Sequence, residues 1–211
     1  MLGQLLAFPI VYSLTGCSLP DSASYRFRMS VEAYTPTGMR SGSSVMEEIA
    51  SRNVFRTSET GPGSGGTRGE AVVVDLPDGP LFVLLKMSDA RGEIGGYVTD
   101  ALNHRGHLGG FEPYFAAVKR LGSWFGHAKA ELPREDWPMM IRFRDLSDPH
   151  SVEQVDPDGT GVKRILLETT RDRVTTGLEK RLTWLDGVEK SQSNSIVETN
   201  LSELVGELRH K

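Results

Sequence analysis

The sequence predicts an α+β fold with a mainly antiparallel sheet and one or two packed helices, including a C-terminal helix. The sheet is predicted by alternating apolar and polar residues at 25–33 and by two unbroken apolar runs, at 72–74 and 81–85. The helices are predicted by apolar residues that recur at helical spacing, at 115–121 and 201–208. Short connections between the early strands favour antiparallel pairing.

The first predicted strand, Tyr25–Ala33, has every second side chain apolar, which is typical of a strand with one buried face. Residues 35–38, Thr-Pro-Thr-Gly, suit a type I turn because proline stands at its second position and glycine at its fourth. A second strand at Met39–Ala50 would complete a long hairpin.

A glycine-rich segment at 57–68 is predicted to be a flexible loop, followed by strands at Gly69–Leu76 and Leu81–Met87. Unbroken apolar runs need cover on both faces, so both strands are expected to be central. Residues 61–66 match the pattern G-x-G-x-x-G, but a dinucleotide site needs a helix after it. A strand is predicted there instead, so no cofactor is predicted.

The second half of the chain is predicted to contain both helices and strands. Capping residues and apolar spacing support the helices, and alternation supports the strands. The predicted segments are a helical turn at Val98–Asn103, a helix at Glu112–Trp124, strands at Met139–Arg144 and Val162–Thr170, a short helix at Thr176–Leu182, an edge strand at Ser195–Glu198 and a C-terminal helix at Asn200–Leu208.

Length and composition indicate one soluble globular domain. At about 150 residues per domain, 211 residues favour a single unit, and the 25% charged and 38% hydrophobic residues exclude a disordered tail or a polytopic membrane protein. The net charge of −4 argues against general binding to nucleic acid.

The N-terminus has the pattern of a bacterial lipoprotein signal. Residues 5–14 are apolar apart from Ser13, a length that suits a signal-peptide core and is half of what a bilayer needs. Leu14-Thr-Gly-Cys17 resembles a lipobox, which implies diacylglyceryl transfer to Cys17 and cleavage before it. Cys17 is the sole cysteine, but no Lys or Arg precedes Arg26, so the usual positive n-region is missing. Two alternatives remain: a secreted protein without acylation, and a cytoplasmic protein in which Cys17 is a buried thiol.

The lipobox divides the chain into a signal peptide at 1–16, a small polar tether at 17–24 and a single domain at 25–211. The expected location is the cell envelope, with a lipid anchor in the membrane. By analogy with lipoprotein sorting, Ser18 favours the outer membrane, because an aspartate there would resemble an inner-membrane retention signal. The alternative location is the cytoplasm.

Three polar residues near the middle of the chain are candidate metal ligands: Asp100, His104 and His107. Two imidazoles and a carboxylate at this spacing could ligate zinc. Arg105 between the histidines opposes a cation, so exposed loop histidines are the simpler interpretation.

Five acids lie between 145 and 158 with no Lys or Arg among them, but their spacing does not fit an EF-hand. Asp145 and Asp156 are expected to shape turns. Four arginines are expected on outward strand faces, where they would meet solvent or an anionic envelope component: Arg26, Arg28, Arg142 and Arg144. No G-x-S-x-G motif occurs, so the sequence favours no enzyme class.

Several segments resemble a family of bacterial signal-peptide-bearing proteins whose activity is uncharacterised. The similar segments are Arg28–Val31, Ser41–Val45, Gly69–Asp75, Asp145–Val152, Val155–Gly159, Gly161–Val162 and Val174–Leu185. The resemblance implies one domain and no particular chemistry.

The sequence therefore predicts an envelope lipoprotein with a periplasm-facing binding or scaffolding domain. Its expected partners are the membrane, through the lipid anchor, and either an envelope protein or an anionic ligand. An envelope hydrolase with an unrecognised site, or a cytoplasmic protein of unknown function, are the alternatives.

Overall fold

A computed structural model describes residues 21–53, 61–87, 92–104, 106–187 and 208–210. Its strands and longer helices in chain order are β1 Ser22–Thr35, β2 Gly38–Arg52, β3 Gly63–Glu70, β4 Val72–Leu76, β5 Gly79–Met87, α1 Gly95–Asn103, α2 Phe111–Leu121, β6 Lys129–Glu131, β7 Pro138–Phe143, β8 Val152–Gln154, β9 Val162–Thr170 and β10 Arg209–His210.

The larger sheet has the strand order β10-β3-β2-β1-β9-β6, and every pairing is antiparallel. Its central strand β1 buries every second side chain, as the period-two pattern predicts. The inward side chains are Tyr25, Phe27, Met29, Val31 and Ala33. The predicted hairpin is confirmed, although both strands are longer than predicted, and β1 begins at Ser22, inside the predicted tether.

The smaller sheet has the order β4-β5-β7-β8 and is also antiparallel. β5 is central and residues 81–85 are buried, as predicted. The same prediction is wrong for β4, which lies at the sheet edge. Its apolar run is covered by the larger sheet instead, since a Cβ at Gly42 of β2 would overlap the carbonyl of Val73.

The glycine-rich segment predicted to be a loop is partly a strand, because β3 begins at Gly63. Its glycines leave room for aromatic rings: a Cβ at Gly63 would overlap the ring of Phe111, and one at Gly65 would overlap Tyr114. The predicted strand at 69–76 is divided between β3 and β4, because the chain passes from one sheet to the other at Ala71.

The predicted fold class, α+β with a packed C-terminal helix, is wrong. The fold is dominated by two antiparallel sheets, and α1 and α2 lie mid-chain, between β5 and β6. The last described residues form β10, which pairs with β3. Residues 200–207 of the predicted C-terminal helix, and the whole predicted edge strand Ser195–Glu198, lie outside the described residues. Leu208, the last residue of the predicted helix, is buried and directly precedes β10.

Other predicted elements match closely or lie outside the described residues. β9 has the predicted bounds, and β7 begins and ends one residue earlier than predicted. The predicted short helix at Thr176–Leu182 is a three-residue 3-10 turn at Leu178–Lys180. Residues 1–20, with Cys17, and the segment 188–207 lie outside the described residues. No helix in the described ranges is long and apolar enough to cross a membrane.

One hydrophobic core joins the two sheets and the two helices. β4 packs on β1 and β2, while α2 packs on the same two strands and on α1. The larger sheet is therefore covered by strands at one end and by helices at the other. The polar site described next lies under the helices.

Candidate functional site

A row of three polar side chains crosses the larger sheet beneath the helices. The strand register places Tyr25 opposite Glu48, and Glu48 opposite Thr67, on β1, β2 and β3. All three are buried, and Glu48 is only 2% exposed. We call these residues the polar row. A carboxyl group thus occupies a core position of β2, on the same strand face as the buried Met46 and Ala50.

Hydrogen bonds connect the polar row to both helices. The Thr67 hydroxyl donates to Glu48 Oε2 at 2.6 Å, and the Tyr114 hydroxyl of α2 donates to Glu48 Oε1. The Tyr25 hydroxyl bonds to Thr99 Oγ1 of α1 at 2.9 Å. Three strands and two helices therefore contribute to two neighbouring hydrogen-bonded groups, Thr67–Glu48–Tyr114 and Tyr25–Thr99.

The first residue of α1 must be glycine for this arrangement to form. A Cβ at Gly95 would overlap both carboxylate oxygens of Glu48. The close approach places the Glu48 carboxyl against the first turn of α1.

Burial raises the pKa of Glu48 to about 7. The hydrogen bonds from Thr67 and Tyr114 act in the opposite direction, and the charge of Glu93 adds to the increase. Burial and the nearby Glu48 also raise the pKa of the Tyr114 and Tyr25 hydroxyls. Glu48 consequently changes its protonation near neutral pH while both tyrosines stay protonated.

A groove of about 370 Å³ lies above Tyr114, between α1, residues 106–110 and α2. Two carboxylates, one imidazole and three aromatic rings supply most of its functional groups: Glu93, Tyr97, Asp100, His107, Phe111 and Tyr114. Tyr114 is only partly buried and so connects the groove to the buried Glu48.

Asp100 positions His107 at the rim of this groove. Its Oδ2 lies 2.8 Å from His107 Nδ1, and its Oδ1 accepts a hydrogen bond from the Leu108 backbone at 3.0 Å. The imidazole is 84% exposed. Because Asp100 engages Nδ1, the nitrogen Nε2 is available to a ligand in the groove.

The structure brings together two of the three candidate metal ligands. Asp100 and His107 form the pair above, whereas His104 ends α1 in a left-handed conformation, with φ of 53°. Within the described ranges, no three His, Cys, Asp or Glu side chains are grouped as metal ligands. Structural zinc needs four ligands and catalytic zinc three, so the described geometry is that of a hydrogen-bonded pair.

The acids between 145 and 158 do shape turns, as predicted for two of them. Asp145 Oδ1 accepts from the Ser147 backbone at 2.9 Å, and Asp156 Oδ1 accepts from the Asp158 backbone at 3.0 Å. Each carboxylate satisfies a backbone N–H two residues on, which is an Asx-turn.

The four outward arginines contact oxygen atoms of this same chain. Arg28 bonds to Asp172 at 2.5 Å, Arg26 to the Asp172 carbonyl oxygen at 2.8 Å, Arg144 to Glu153 at 2.8 Å, and Arg142 to Asp78. Arg26 also lies 3.9 Å from Glu47, so an anionic ligand would have to compete with a carboxylate for each of the four.

Sequence reasoning missed Glu48 and Tyr114, which form the floor of the site. A signal for Glu48 was present, because the alternation of β2 places an acid between the apolar Met46 and Ala50 on one strand face. Its partner on α2 could not be found this way, since no local pattern links residues 66 positions apart.

No protein-family model matches this chain, and neither a curated protein nor a solved structure shows significant similarity to it. The resemblance noted from the sequence therefore stays an expectation, and the site is interpreted from its geometry.

Proposed function

We propose that the protein is an envelope lipoprotein, anchored through an acylated Cys17, whose domain binds a polar ligand in the groove between α1 and α2. The observation that carries the binding role is the pairing of Asp100 with His107 above the Tyr114–Glu48 hydrogen bond. Two oriented polar pairs at one groove can fix the position of a ligand.

The lipid anchor is supported by the sequence at residues 1–17. An apolar stretch at 5–14 has the length of a signal-peptide core, and the lipobox that follows it ends at Cys17, the sole cysteine of the chain.

Binding is favoured over hydrolysis by the groups that line the groove. A nucleophilic hydrolase places a serine, cysteine or threonine within hydrogen-bond reach of its base. The described lining residues include none of these beside His107. The runner-up, an envelope hydrolase, is favoured by the Asp100–His107 pair, which would have to activate water directly.

The groove chemistry favours a hydroxyl-rich or cationic ligand. Glu93 and Asp100 would repel an anion, whereas carboxylates accept hydrogen bonds from sugar hydroxyls and from ammonium groups. Aromatic faces such as those of Tyr97 and Phe111 attract cations and cover apolar ring surfaces.

Intact-mass analysis of membrane-extracted protein tests the anchor. We expect a chain that begins at Cys17 and carries added acyl mass, and a Cys17→Ser variant that stays uncleaved and unacylated. Recovery of wild-type protein from the cytosol with Met1 at its N-terminus would contradict the anchor.

Titration with N-acetylglucosamine oligomers and with spermidine tests the groove, because these probes represent the two ligand classes. We expect one of them to bind, and His107→Ala to weaken that binding about tenfold, the effect of losing one hydrogen bond worth about 1.4 kcal/mol. His150→Ala, an exposed histidine elsewhere, is the control. Failure of both probes would contradict this ligand chemistry, and probe cleavage that depends on His107 would favour the hydrolase.

A further inference from the structure

Two large aromatic side chains are exposed side by side in the connection between α2 and β6. Trp124 is 73% exposed and Phe125 is 86% exposed. In the described chain, the other large hydrophobic side chains with high exposure are Tyr34 and Met39, near the turn between β1 and β2. Adjacent exposed aromatic rings indicate a surface that contacts something apolar.

Close backbone packing holds this connection, residues 122–126, which we call the aromatic loop. A Cβ at Gly122 would overlap the Ser24 carbonyl oxygen of β1, and one at Gly126 would overlap the carbonyl oxygen of Leu121. Ser123 Oγ also donates to the Arg120 carbonyl at 2.7 Å. The loop is therefore fixed against the sheet while its two aromatic side chains point outward.

The aromatic loop lies at the end of the domain where the proposed anchor would attach. Ser24, which touches Gly122, is the third residue of β1. Cys17 precedes Asp21 by four residues, which span at most about 14 Å when extended. A bilayer that held the acyl groups of Cys17 would thus lie close to the aromatic loop.

Basic groups accompany the aromatic rings. The Arg171 guanidinium lies 4.6 Å from the centre of the Trp124 ring, and it donates to the Trp124 carbonyl at 3.4 Å. Lys119, on the last turn of α2, is 67% exposed and lies 4.0 Å from Asp21. Tryptophan is enriched at membrane interfaces, and long basic side chains there extend toward lipid phosphates.

We infer that the aromatic loop enters the lipid–water interface of the bilayer, with Trp124 and Phe125 at the level of the headgroups and upper acyl chains. Arg171 then lies beside the lipid phosphates. The inference rests on the proposed lipid anchor for the nearness of a bilayer. With an anchor and a loop as two contacts, the domain would have a fixed orientation on the membrane rather than turn about its tether.

Fluorescence quenching by brominated lipids tests the inference, with membrane-extracted full-length protein in phosphatidylethanolamine–phosphatidylglycerol vesicles. Trp137 is 7% exposed and Trp184 is half-buried, so Trp124 is the tryptophan that lipid can reach most easily. We expect bromines near the headgroups to quench the wild type at least twofold. We expect Trp124→Phe to abolish this quenching and Phe125→Ser to reduce it.

Met39→Ser is the matched control, because it removes another exposed apolar side chain, 56% exposed, far along the β1–β2 hairpin. It should leave the quenching unchanged. Equal quenching of the wild type and Trp124→Phe would overturn the inference, as would self-association through the loop without any quenching.

Mass analysis of the same samples separates the two proposals. An acylated Cys17 without quenching of Trp124 overturns the aromatic-loop inference and leaves the anchor standing. Quenching of Trp124 in a protein without acyl groups supports the loop and overturns the anchor.

Discussion

At the scale of single residues, Glu48 is a buried acid held by hydrogen bonds from a strand and from a helix. Its two carboxylate oxygens accept hydrogen bonds from Thr67 and Tyr114, so the buried acid is satisfied rather than isolated. Its pKa of about 7 nevertheless differs from the value of 4.5 for an exposed glutamate. A pKa that differs between the folded and unfolded states makes stability depend on pH.

We predict that Glu48→Gln removes a pH dependence of the free energy of unfolding. Well below pH 4.5 the carboxyl is protonated in both states, and the contribution of Glu48 to stability is fully present. Between about pH 4.5 and 7 the unfolded chain releases this proton while the folded chain retains it, so stability falls as pH rises. The loss is on the order of 3 kcal/mol and is complete above pH 7.

Denaturant unfolding at pH 5 and pH 8 measures this effect as the difference between variant and wild type. Glu47→Gln is the control, since Glu47 pairs with Arg68 and Arg26 on the other face of β2. The control should keep the wild-type pH slope. An unchanged slope in Glu48→Gln would show that Glu48 is not the titrating group.

At the scale of elements, local patterns predicted strands whose partners lie on the same sheet and failed where distant packing decides the structure. The alternation in β1 and the bounds of β9 could be read directly. The strand β3 could not be predicted this way, because its glycines make room for the rings of Phe111 and Tyr114, which lie on the distant helix α2. The edge position of β4 could not be predicted either, because the larger sheet covers its apolar run and the sequence cannot distinguish this cover from a neighbouring strand.

The candidate site was only partly predictable for the same reason. Asp100 and His107 lie seven residues apart, so their nearness could be proposed from the sequence. The buried floor joins Glu48 to Tyr114 across strand and helix, which only the fold can show.

We predict that Phe82→Ala compromises folding while Arg26→Ala has little effect. Phe82 of β5 is fully buried and packs edge-on against Phe143, with ring centroids 5.4 Å apart. Removing a buried phenylalanine side chain costs about 3–5 kcal/mol. Arg26 lies on the outward face of β1 with a 39% exposed side chain, so its loss should cost under about 1 kcal/mol. Thermal and denaturant unfolding of both variants measure the difference, and equal stabilities would contradict the assignment of the core.

At the scale of the whole molecule, a partly buried charge cluster connects the last described strand to the rest of the fold. Arg209 of β10, with a 9% exposed side chain, lies 2.7 Å from Asp186, 3.1 Å from Glu179 and 3.7 Å from Glu70. Glu70 of β3 also accepts the backbone N–H of Leu178 at 2.9 Å. The cluster therefore joins the larger sheet, the 3-10 turn at Leu178–Lys180 and the C-terminal strand.

We predict that Arg209→Met destabilises the protein by about 3–5 kcal/mol at pH 8, because it leaves the buried carboxylate of Glu70 without its cation. Burial raises the pKa of Glu70, and the Arg209 charge opposes that increase, so the variant should raise this pKa further. Glu70 can then be protonated at lower pH, which removes the uncompensated charge. The destabilisation relative to wild type should consequently shrink from pH 8 to pH 5 in denaturant unfolding.

Arg134→Met, which removes a more exposed pair with Asp158, is the control and should cost under about 1 kcal/mol at both pH values. Equal losses in the two variants at pH 8 would show that the cluster does not hold β10 in place.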